Sequence, residues 1–503
     1  MTLSAAPRRR LAFAIVMSLG LGTAGALAIA VPVSAATLTV TSTTDDGVGY
    51  TLREAVADAN ASVGVADTID FDSSLLNSTL HIDSALTITD TLTISGLGSG
   101  SLSIQRDVGP DSDVFVFRPS AADQDFTVSG ITIQGDNVIT GSGVVADNSD
   151  ETPRNVTVVD VTFTDLQNGS AGGPAISIDT IAGTLRVENS SFVSNEGGAS
   201  GGAISAVGVG TAIVFTDDEF VGNEAAGDGG ALYIADTTSS ITIERSTFQA
   251  NVAEGDGGGI YVDQVDLDSG LTVDSSTFSA DSTGQFGAAV AIGTVIGEVT
   301  IVNSTLDEGS EDFAMAADLV TGELSIMYST MTGGIYVGTN EGLAEVTSTI
   351  VVQTGGVTIL VDDAVNPVGV LYSILSSSLA NYMADMGGNQ FGILPKLGPL
   401  QDNGGPTFTR MPLAGSPAID RGLPGGTPPT FDQRYTGFPR VIGGRVDVGA
   451  VETAGTSGDL DATRALAATG QTLNIWIPIV GGVLLLGGAA AIVINVLRRR
   501  RQP

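Results

Sequence analysis

The chain has 503 residues, and its 56 acidic side chains against 20 basic ones give a formal net charge of −36. Nucleic-acid binding is disfavoured, because a duplex is bound through a basic surface. The absence of cysteine excludes disulfides, thiol catalysis and thiolate metal sites, and a single histidine, His81, excludes multi-histidine metal sites.

Residues 1–36 have the pattern of a secretory signal peptide. Arg8, Arg9 and Arg10 form a positive start, an apolar stretch follows from Leu11 to Val31, and small residues suited to cleavage stand at 33–36. We therefore expect export with cleavage after Ala35 or Ala36. The alternative is a retained membrane anchor.

The stretch 37–79 is predicted to cap the N-terminal end of the following domain. The segment 51–60 is the one good helical stretch near the start, because its apolar residues fall at i, i+3, i+4 and i+7. These residues are Leu52, Ala55, Val56 and Ala59. The segment 41–60 resembles the N-terminal domain called CSLREA, although Tyr50-Thr51 replace the usual Cys-Ser or Cys-Thr. His81 follows in a strand-like run, and we interpret it as a surface residue.

Residues 80–388 contain a repeat with a period near 28. A Phe-x-x-Asn motif and a later Gly-Gly pair recur together at that interval. Each repeat holds about three short alternating apolar runs, which indicates stacked coils of three strands and predicts an all-β parallel β-helix. The predicted interior columns are Phe163, Phe192, Phe220, Phe248, Phe278 and Asn195, Asn223, Asn251.

A right-handed coil is expected from the handedness of parallel crossovers. The repeats over about 130–300 also resemble those of polymorphic outer-membrane proteins and of pectate-lyase-like β-helices. That resemblance implies a polysaccharide lyase or glycoside hydrolase as one class of activity. The fold alone does not determine the function, so the function must be inferred from the residues of the candidate site.

The best catalytic candidates are the acidic run Asp217, Asp218 and Glu219, together with Arg245. Alignment on the phenylalanine column puts Asp217 beside Arg245 on the next coil, about 5 Å away along the stack. An acid and a base at that distance could act on a polysaccharide. A structural ion pair or a solvated corner is the alternative interpretation.

Asp228 and Asp256 precede the glycine pairs at the same repeat position. They are weak candidates for holding calcium between coils, since carboxylate oxygens suit that ion, and solvated turn residues are the alternative. No other cofactor is indicated. The one lysine, Lys396, lies outside the repeats, which excludes a lysine-dependent mechanism on the repeats.

Residues 389–453 differ in composition from the repeats. The motifs run Leu397 to Thr407, Ala414 to Asp420, Asp432-Gln433-Arg434 and Arg445 to Glu452. In this order they resemble the module called choice-of-anchor Q, which follows β-helices on bacterial surface proteins. The family pattern Asp-Gln-Arg-Gly is interrupted here, because Tyr435-Thr436 precede Gly437. The resemblance implies no established chemistry.

A polar linker, 454–465, leads to a predicted sorting signal, 466–503. The signal comprises Leu466-Ala467-Ala468-Thr469-Gly470, an apolar run at 475–497 and Arg498 to Arg501. The apolar run is long enough for a transmembrane helix, and the arginines would stay in the cytoplasm. The order resembles the LPxTG-type signal of Gram-positive surface proteins, in the Leu-Ala variant of actinobacterial sortases. It implies cleavage between Thr469 and Gly470 and attachment to peptidoglycan; a simple tail anchor is the alternative.

Three functions remain. The first is a non-catalytic surface rod on the cell wall, which binds glycans or another cell surface. The second is a wall-anchored polysaccharide lyase or glycoside hydrolase. The third is a structural component of a surface layer.

Overall fold

The structure is a computed structural model that describes residues 34–106, 113–119, 121, 123–135, 141–147, 154–169, 172–308, 313–353, 356–378 and 380–454. It confirms the predicted fold class: the chain is a right-handed parallel β-solenoid of about 11 turns, with coils of about 28 residues. The predicted sorting motif, transmembrane segment and arginine tail lie outside the described residues, as do 1–33 of the predicted signal. Within the described ranges, no helix has the length and apolarity needed to cross a membrane.

Strands of successive coils pair in parallel and form three sheets along the solenoid. A 25-stranded sheet has two columns. Its first column is Thr37–Val40, Asp67–Phe71, Leu92–Ser95, Phe126–Gln134, Val156–Thr164, Thr184–Glu188, Ala212–Thr216, Ser240–Glu244, Gly270–Asp274, Glu298–Val302, Glu323–Met327, Leu343–Thr347, Val368–Leu371 and Met383–Asp385. Its second column shares the ends of two of those strands and adds Ser78–Ile82, Leu102–Arg106, Ser191–Val193, Glu219–Val221, Thr247–Gln249, Thr277–Ser279, Thr305–Asp307, Thr330–Thr332, Ile350–Val352, Ile374–Leu375 and Gln390–Phe391.

The other two sheets complete each coil. An eleven-stranded sheet contains Leu86–Ile88, Phe115–Phe117, Val144–Asp147, Ile176–Ile181, Ile204–Val209, Leu232–Ala235, Ile260–Val265, Val290–Val295, Phe313–Val320, Gly334–Asn340 and Ile359–Ala364. A short sheet contains Gln167–Asn168, Glu196–Gly197, Glu224–Ala225, Val252–Ala253 and Ser282–Thr283. Parallel pairing already begins at Thr37, before the range 80–388 that the repeat pattern covers.

The core is a stack of identical apolar side chains. Phe163, Phe192, Phe220, Phe248 and Phe278 are fully buried, and their rings lie parallel within 6°. The ring centroids of successive coils are 4.6–5.1 Å apart. This matches the spacing of paired strands, so each ring packs on the same ring of the next coil.

One corner of nine successive coils is left-handed. The residue between the two columns of the large sheet has φ between 47° and 58°, which costs a non-glycine residue of order 1 kcal/mol. We call these residues the corner column: Asp160, Asn189, Asp217, Arg245, Ser275, Asn303, Tyr328, Ser348 and Tyr372. The residue that follows each of the last eight positions is buried and accepts a backbone hydrogen bond from the preceding coil, through a side-chain oxygen. This ladder offsets the strain and fixes the register.

A second ladder of side chains stacks at the corner after the phenylalanines. The side-chain oxygen of Asn223 accepts from the backbone N–H and the side-chain amide of Asn195, at 3.1 and 2.9 Å, and Asn251 does the same for Asn223. Beyond Asn251, carboxyl groups replace the amides of this ladder. Asp281 accepts from Asn251 at 2.7 and 2.8 Å, and its own N–H donates to Glu308 at 2.7 Å.

The N-terminal helix spans Leu52–Ala61 and packs against the first coils. Thr51 and Glu54 form a capping box, which satisfies free N–H groups at the helix start. The buried side chains are Leu52, Ala55, Val56 and Ala59, the same four that the spacing selects. The helix therefore covers apolar side chains of the first coils.

The C-terminal module, 389–453, lies along the side of the solenoid and follows the corner column. It contains an antiparallel hairpin, Leu397–Gln401 with Thr409–Pro412. Six successive corner residues contact it, by hydrogen bonds or by stacking with an arginine. The pairs are Arg245 with Tyr435, Ser275 with Thr407, Asn303 with Phe431, Tyr328 with Arg440, Ser348 with Leu423 and Tyr372 with Arg445.

The motif residues of this module are buried in one polar network. Arg434 binds the Asp432 carboxylate and donates to the Glu452 carbonyl oxygen at 2.6 Å. Asp447 is fully buried, and its N–H donates to the Glu452 carboxylate at 2.8 Å. Burial raises the pKa of Glu452 to about 8. These buried charged residues thus serve the folding of the module.

The carboxyl pair at the end of the asparagine ladder predicts a pH-dependent stability. Burial raises the pKa of Asp281 from 3.8 to about 7, and burial beside Asp281 raises that of Glu308. Because the folded state holds a proton that the unfolded carboxyl releases, the free energy of unfolding falls as the pH rises from about 4 to about 7. Asp281→Asn keeps the acceptor for Asn251, adds a donor and should stabilise the protein at pH 8 by about 1–3 kcal/mol.

Denaturant unfolding at pH 5 and pH 8 measures this effect. The variant should lose less stability than the wild-type chain between the two pH values. Glu224→Gln, an exposed acid of a neighbouring coil, is the control and should leave the difference unchanged. An equal loss in Asp281→Asn and wild type would show that the pair does not hold the proton.

Candidate functional site

A groove of about 470 Å³ opens where the C-terminal module ends on the solenoid. We call it the corner groove. The solenoid contributes Asn189, Asp217, Asp218, Glu219, Arg245, Thr247, Gln249, Thr277 and Ser279, and the module contributes Leu400, Pro406 and Phe408. All four residues that the sequence nominated for catalysis thus line one groove.

Arg245 and Asp217 form a bidentate ion pair across two coils. Arg245 donates from Nε and Nη2 to the two Asp217 oxygens, at 2.9 and 3.0 Å, and from Nη1 to Glu244 at 2.9 Å. Both residues belong to the corner column, so the stacking of coils brings them together. The guanidinium also lies over the ring of Tyr435, with its carbon 4.8 Å from the centroid.

This environment keeps Arg245 charged. The hydrogen bonds that Arg245 donates to Asp217, together with the negative charges of Asp217 and Glu244, raise the pKa of Arg245 above its ordinary value. A base that abstracts a proton from a sugar must first be neutral. The pair therefore suits binding and positioning, and it opposes the role of base that the sequence allowed.

Asp218 has a structural role in the corner ladder. Its side chain is 2% exposed, and its two oxygens accept from the N–H groups of Ser190 and Thr216 at 2.8 and 2.9 Å. Burial raises its pKa, and the two backbone donors oppose that shift. Serine or threonine fills this position in most other coils, so Asp218 replaces a ladder hydroxyl.

Glu219 is the remaining acidic candidate. It is exposed on the strand Glu219–Val221, and its shortest hydrogen-bond contact is a 3.5 Å approach to Ser191. Hydrolysis by paired carboxylates needs two acids that flank the scissile bond. Among the described groove residues, Asp217 is tied to Arg245 and Asp218 is buried. Glu219 is therefore the one carboxylate here without either restraint.

The module wall of the groove is apolar and held by one buried amide. Phe408 is 53% exposed beside Leu400 and Pro406. Gln433 is fully buried; its amide nitrogen donates to Thr277 and Thr407 at 2.8 and 3.0 Å, and its oxygen accepts from Thr305 at 2.5 Å. The Thr277 hydroxyl in turn donates to the Phe408 carbonyl at 2.6 Å. Gln433 thus fixes the wall against the floor.

The other candidate residues lie away from the groove. Asp228 accepts from the N–H of Asp256, and Asp256 from that of Phe286, each at 2.8 Å, so both carboxylates satisfy turn backbone. No group of three acidic or histidine side chains within the described ranges could hold a metal ion. His81 is exposed on Ser78–Ile82, and the Lys396 amine donates to the Gly415 carbonyl.

Sequence reasoning missed the wall of the groove. Leu400 and Pro406 belong to a motif that carries no chemical signal, and Phe408 directly follows it. Only the docking of the module along the corner column brings these three residues to Arg245. The one available signal was the break in the repeat at Asp217–Glu219. This break indicated where the site lies, but it did not indicate that an apolar surface faces the site.

Comparison with known proteins adds no relative. No family model matches the chain, and no curated protein matches it. We therefore infer function from the solenoid, the groove and the sequence.

A substitution at Gln433 should loosen the wall. Gln433→Ala removes the donor to Thr277 and Thr407 and the acceptor for Thr305, at a cost of about 2 kcal/mol. The hairpin 397–412 should then be cleaved faster by a protease under native conditions. Gln401→Ala, on the exposed side of the same hairpin, is the control. Equal cleavage rates in both variants would contradict the assigned role of Gln433.

Proposed function

We propose that this protein is an exported, cell-wall-anchored β-helix that acts as a non-catalytic rod and binds glycans in the corner groove. The observation that carries the proposal is the combination, in one groove, of a floor rich in hydroxyl and amide groups with an exposed aromatic wall. The signal at 1–36 and the sorting signal at 466–503 support the location.

The lining of the groove suits a sugar. Thr247, Gln249 and Ser279 offer donors and acceptors for hydroxyl groups, and the ring of Phe408 offers an apolar face for a pyranose. The acidic balance of the chain disfavours anionic polymers, which it would repel. Neutral glycans are therefore the expected ligands.

Binding is favoured over catalysis by the state of the charged groups. Arg245 is held as a cation by Asp217 and Glu244, and Asp218 is buried in the ladder. What remains is a fixed, polar surface on which Asp217 and Glu219 are exposed, and Asp217 is held by Arg245. Such a surface can orient a chain, but its described residues lack the second unpaired acid or neutral base that a hydrolase or a lyase requires.

Removal of the aromatic wall tests the binding site. The full chain should bind an oligosaccharide of a neutral glycan panel in isothermal titration, and Phe408→Ala should weaken that binding about tenfold, through lost ring stacking. Phe286→Ala removes another exposed phenylalanine on a different face and is the matched control. Equal affinities for Phe408→Ala and wild type would place any binding elsewhere.

The same panel tests for catalysis. Reducing ends and unsaturated products are followed with millimolar calcium present. Cleavage that Glu219→Gln abolishes would replace the proposal with the second function, a polysaccharide lyase or glycoside hydrolase.

Anchoring is tested in a Gram-positive host with a sortase. Wall digests should contain the chain ending at Thr469, joined to a peptidoglycan fragment, as mass spectrometry detects. Thr469→Ala should leave the protein in the membrane or the medium, whereas Thr453→Ala, upstream of the signal, should not. Membrane retention of the wild-type chain would favour a simple tail anchor.

A further inference from the structure

The outer face of the eleven-stranded sheet carries a column of aromatic side chains. The rings of Tyr233 and Tyr261 are parallel within 7°, with centroids 5.7 Å apart. Further along, Phe286 stacks on Tyr336, at 4.6 Å and 9°. The register connects these positions through two small residues: Tyr233, Tyr261, Ala291, Ala316 and Tyr336 face one another on successive strands.

A column of alternating aspartate and glycine runs beside the rings. It lies two residues further along each strand and therefore on the same face of the sheet. The residues are Asp263, Gly293, Asp318, Gly338 and Asp362. All three aspartates are exposed. Because glycine separates them, neighbouring carboxylates stand two strands, or roughly 10 Å, apart.

The lack of a side chain at each glycine leaves a site between two carboxylates and next to a phenol. We call each such site a seat. A Cβ at Gly293 would lie 3.3 Å from the Tyr261 hydroxyl, which therefore reaches over this strand between Asp263 and Asp318. The next seat is over Gly338, between Asp318 and Asp362. There the Tyr336 hydroxyl donates to Asp362 at 2.9 Å. Asp318 is common to both seats.

The sequence around these strands is rich in acids and has no basic residue of its own, although Arg410 of the module pairs with Asp307 at 2.8 Å. From Ser246 to Pro395 the sequence has 19 acidic residues and no lysine, arginine or histidine. Burial and the nearby Asp256 raise the pKa of Asp318, and burial together with Asp263 raises that of Tyr261. Among the ion pairs of the described residues, none involves Asp263, Asp318 or Asp362, so these three carboxylates lack a positive partner that would stabilise their charged forms. A cation supplied by a partner would do so.

We propose that this tyrosine face, formed by Tyr261, Tyr336, Asp263, Asp318 and Asp362, docks an extended basic peptide segment of a partner protein. Lysine or arginine side chains occupy the seats over Gly293 and Gly338. Each cation lies between two carboxylates, which attract it from both sides, and beside an aromatic ring, which attracts it further. This surface is separate from the corner groove and goes beyond the proposed glycan binding.

The spacing favours a chain of cations over a single metal ion. No three acidic or histidine side chains in the described part of the chain approach closely enough to hold a metal. Two seats about 10 Å apart match side chains three residues apart on a peptide in the extended polyproline II conformation, which has three residues per turn and rises about 3.1 Å a residue. The carboxylates favour a positively charged ligand, whereas a neutral glycan would be stabilised only by contact with the aromatic rings.

Fluorescence anisotropy with a labelled deca-lysine peptide tests the proposal on the full chain. Asp318→Asn, which affects both seats, should weaken binding about fivefold, and Tyr261→Leu about threefold at the same salt concentration. Asp179→Asn is the matched control. Asp179 is exposed on the same sheet and in register with Val207, away from the tyrosines, and its variant should bind within about twofold of wild type.

The outcomes separate specific docking from general attraction. Equal weakening by Asp318→Asn and Asp179→Asn would overturn the proposal, because net charge alone would then explain the binding. Unchanged affinity in Tyr261→Leu would also overturn it. So would a neutral oligosaccharide that displaces deca-lysine and depends on Tyr261. Phe408→Ala leaves this face intact, so failure of glycan binding and failure of peptide binding are distinguishable.

Discussion

In-register stacking of parallel coils is the constraint on which this molecule depends. Once strands of one coil bond to the same strands of the next, every side chain faces its equivalent at the distance between two strands. The phenylalanine rings then pack in parallel, the asparagine amides bond in a row, and the hydroxyl ladder closes each left-handed corner. The structural role of a residue therefore depends on the column in which it lies. The pairing of Arg245 with Asp217 is one result, since two corner residues of opposite charge follow each other.

The columns explain how far the sequence could be interpreted. Phe192, Phe220 and Phe248 recur with identical neighbours, so the period, the fold class and the inward direction of the rings follow from the letters alone. The corner column is invisible at that level, because its members range from Asp160 to Tyr372 and share only a backbone angle. The stacking of coils does not select the type of residue there, since the next residue holds the corner; at the last six positions the contact with the module constrains it instead.

The candidate site was partly within reach of the sequence for the same reason. Repeat arithmetic relates Asp217 to Arg245, since both stand in one column of adjacent coils. It could not reveal that Asp218 turns inward as a ladder residue. Nor could it place Phe408 in the wall, because the contact between module and solenoid joins positions about 130 residues apart with no repeat to align them. The contact between the module and the solenoid, which differ in sequence, produces no periodic pattern in the chain.

The C-terminal module divides the solenoid into two stretches with different freedom to change in length. Among the described residues before Asn189, none lines the groove and none has a hydrogen bond to the module, so loss or duplication of one whole coil there would leave the contacts between module and solenoid in place. From Arg245 to Tyr372 the module spans six consecutive corners with fixed partners, and one added coil would put all later partners out of step. Evolution by coil duplication can therefore lengthen the N-terminal stretch, while the braced stretch keeps its count and with it the dimensions of the groove.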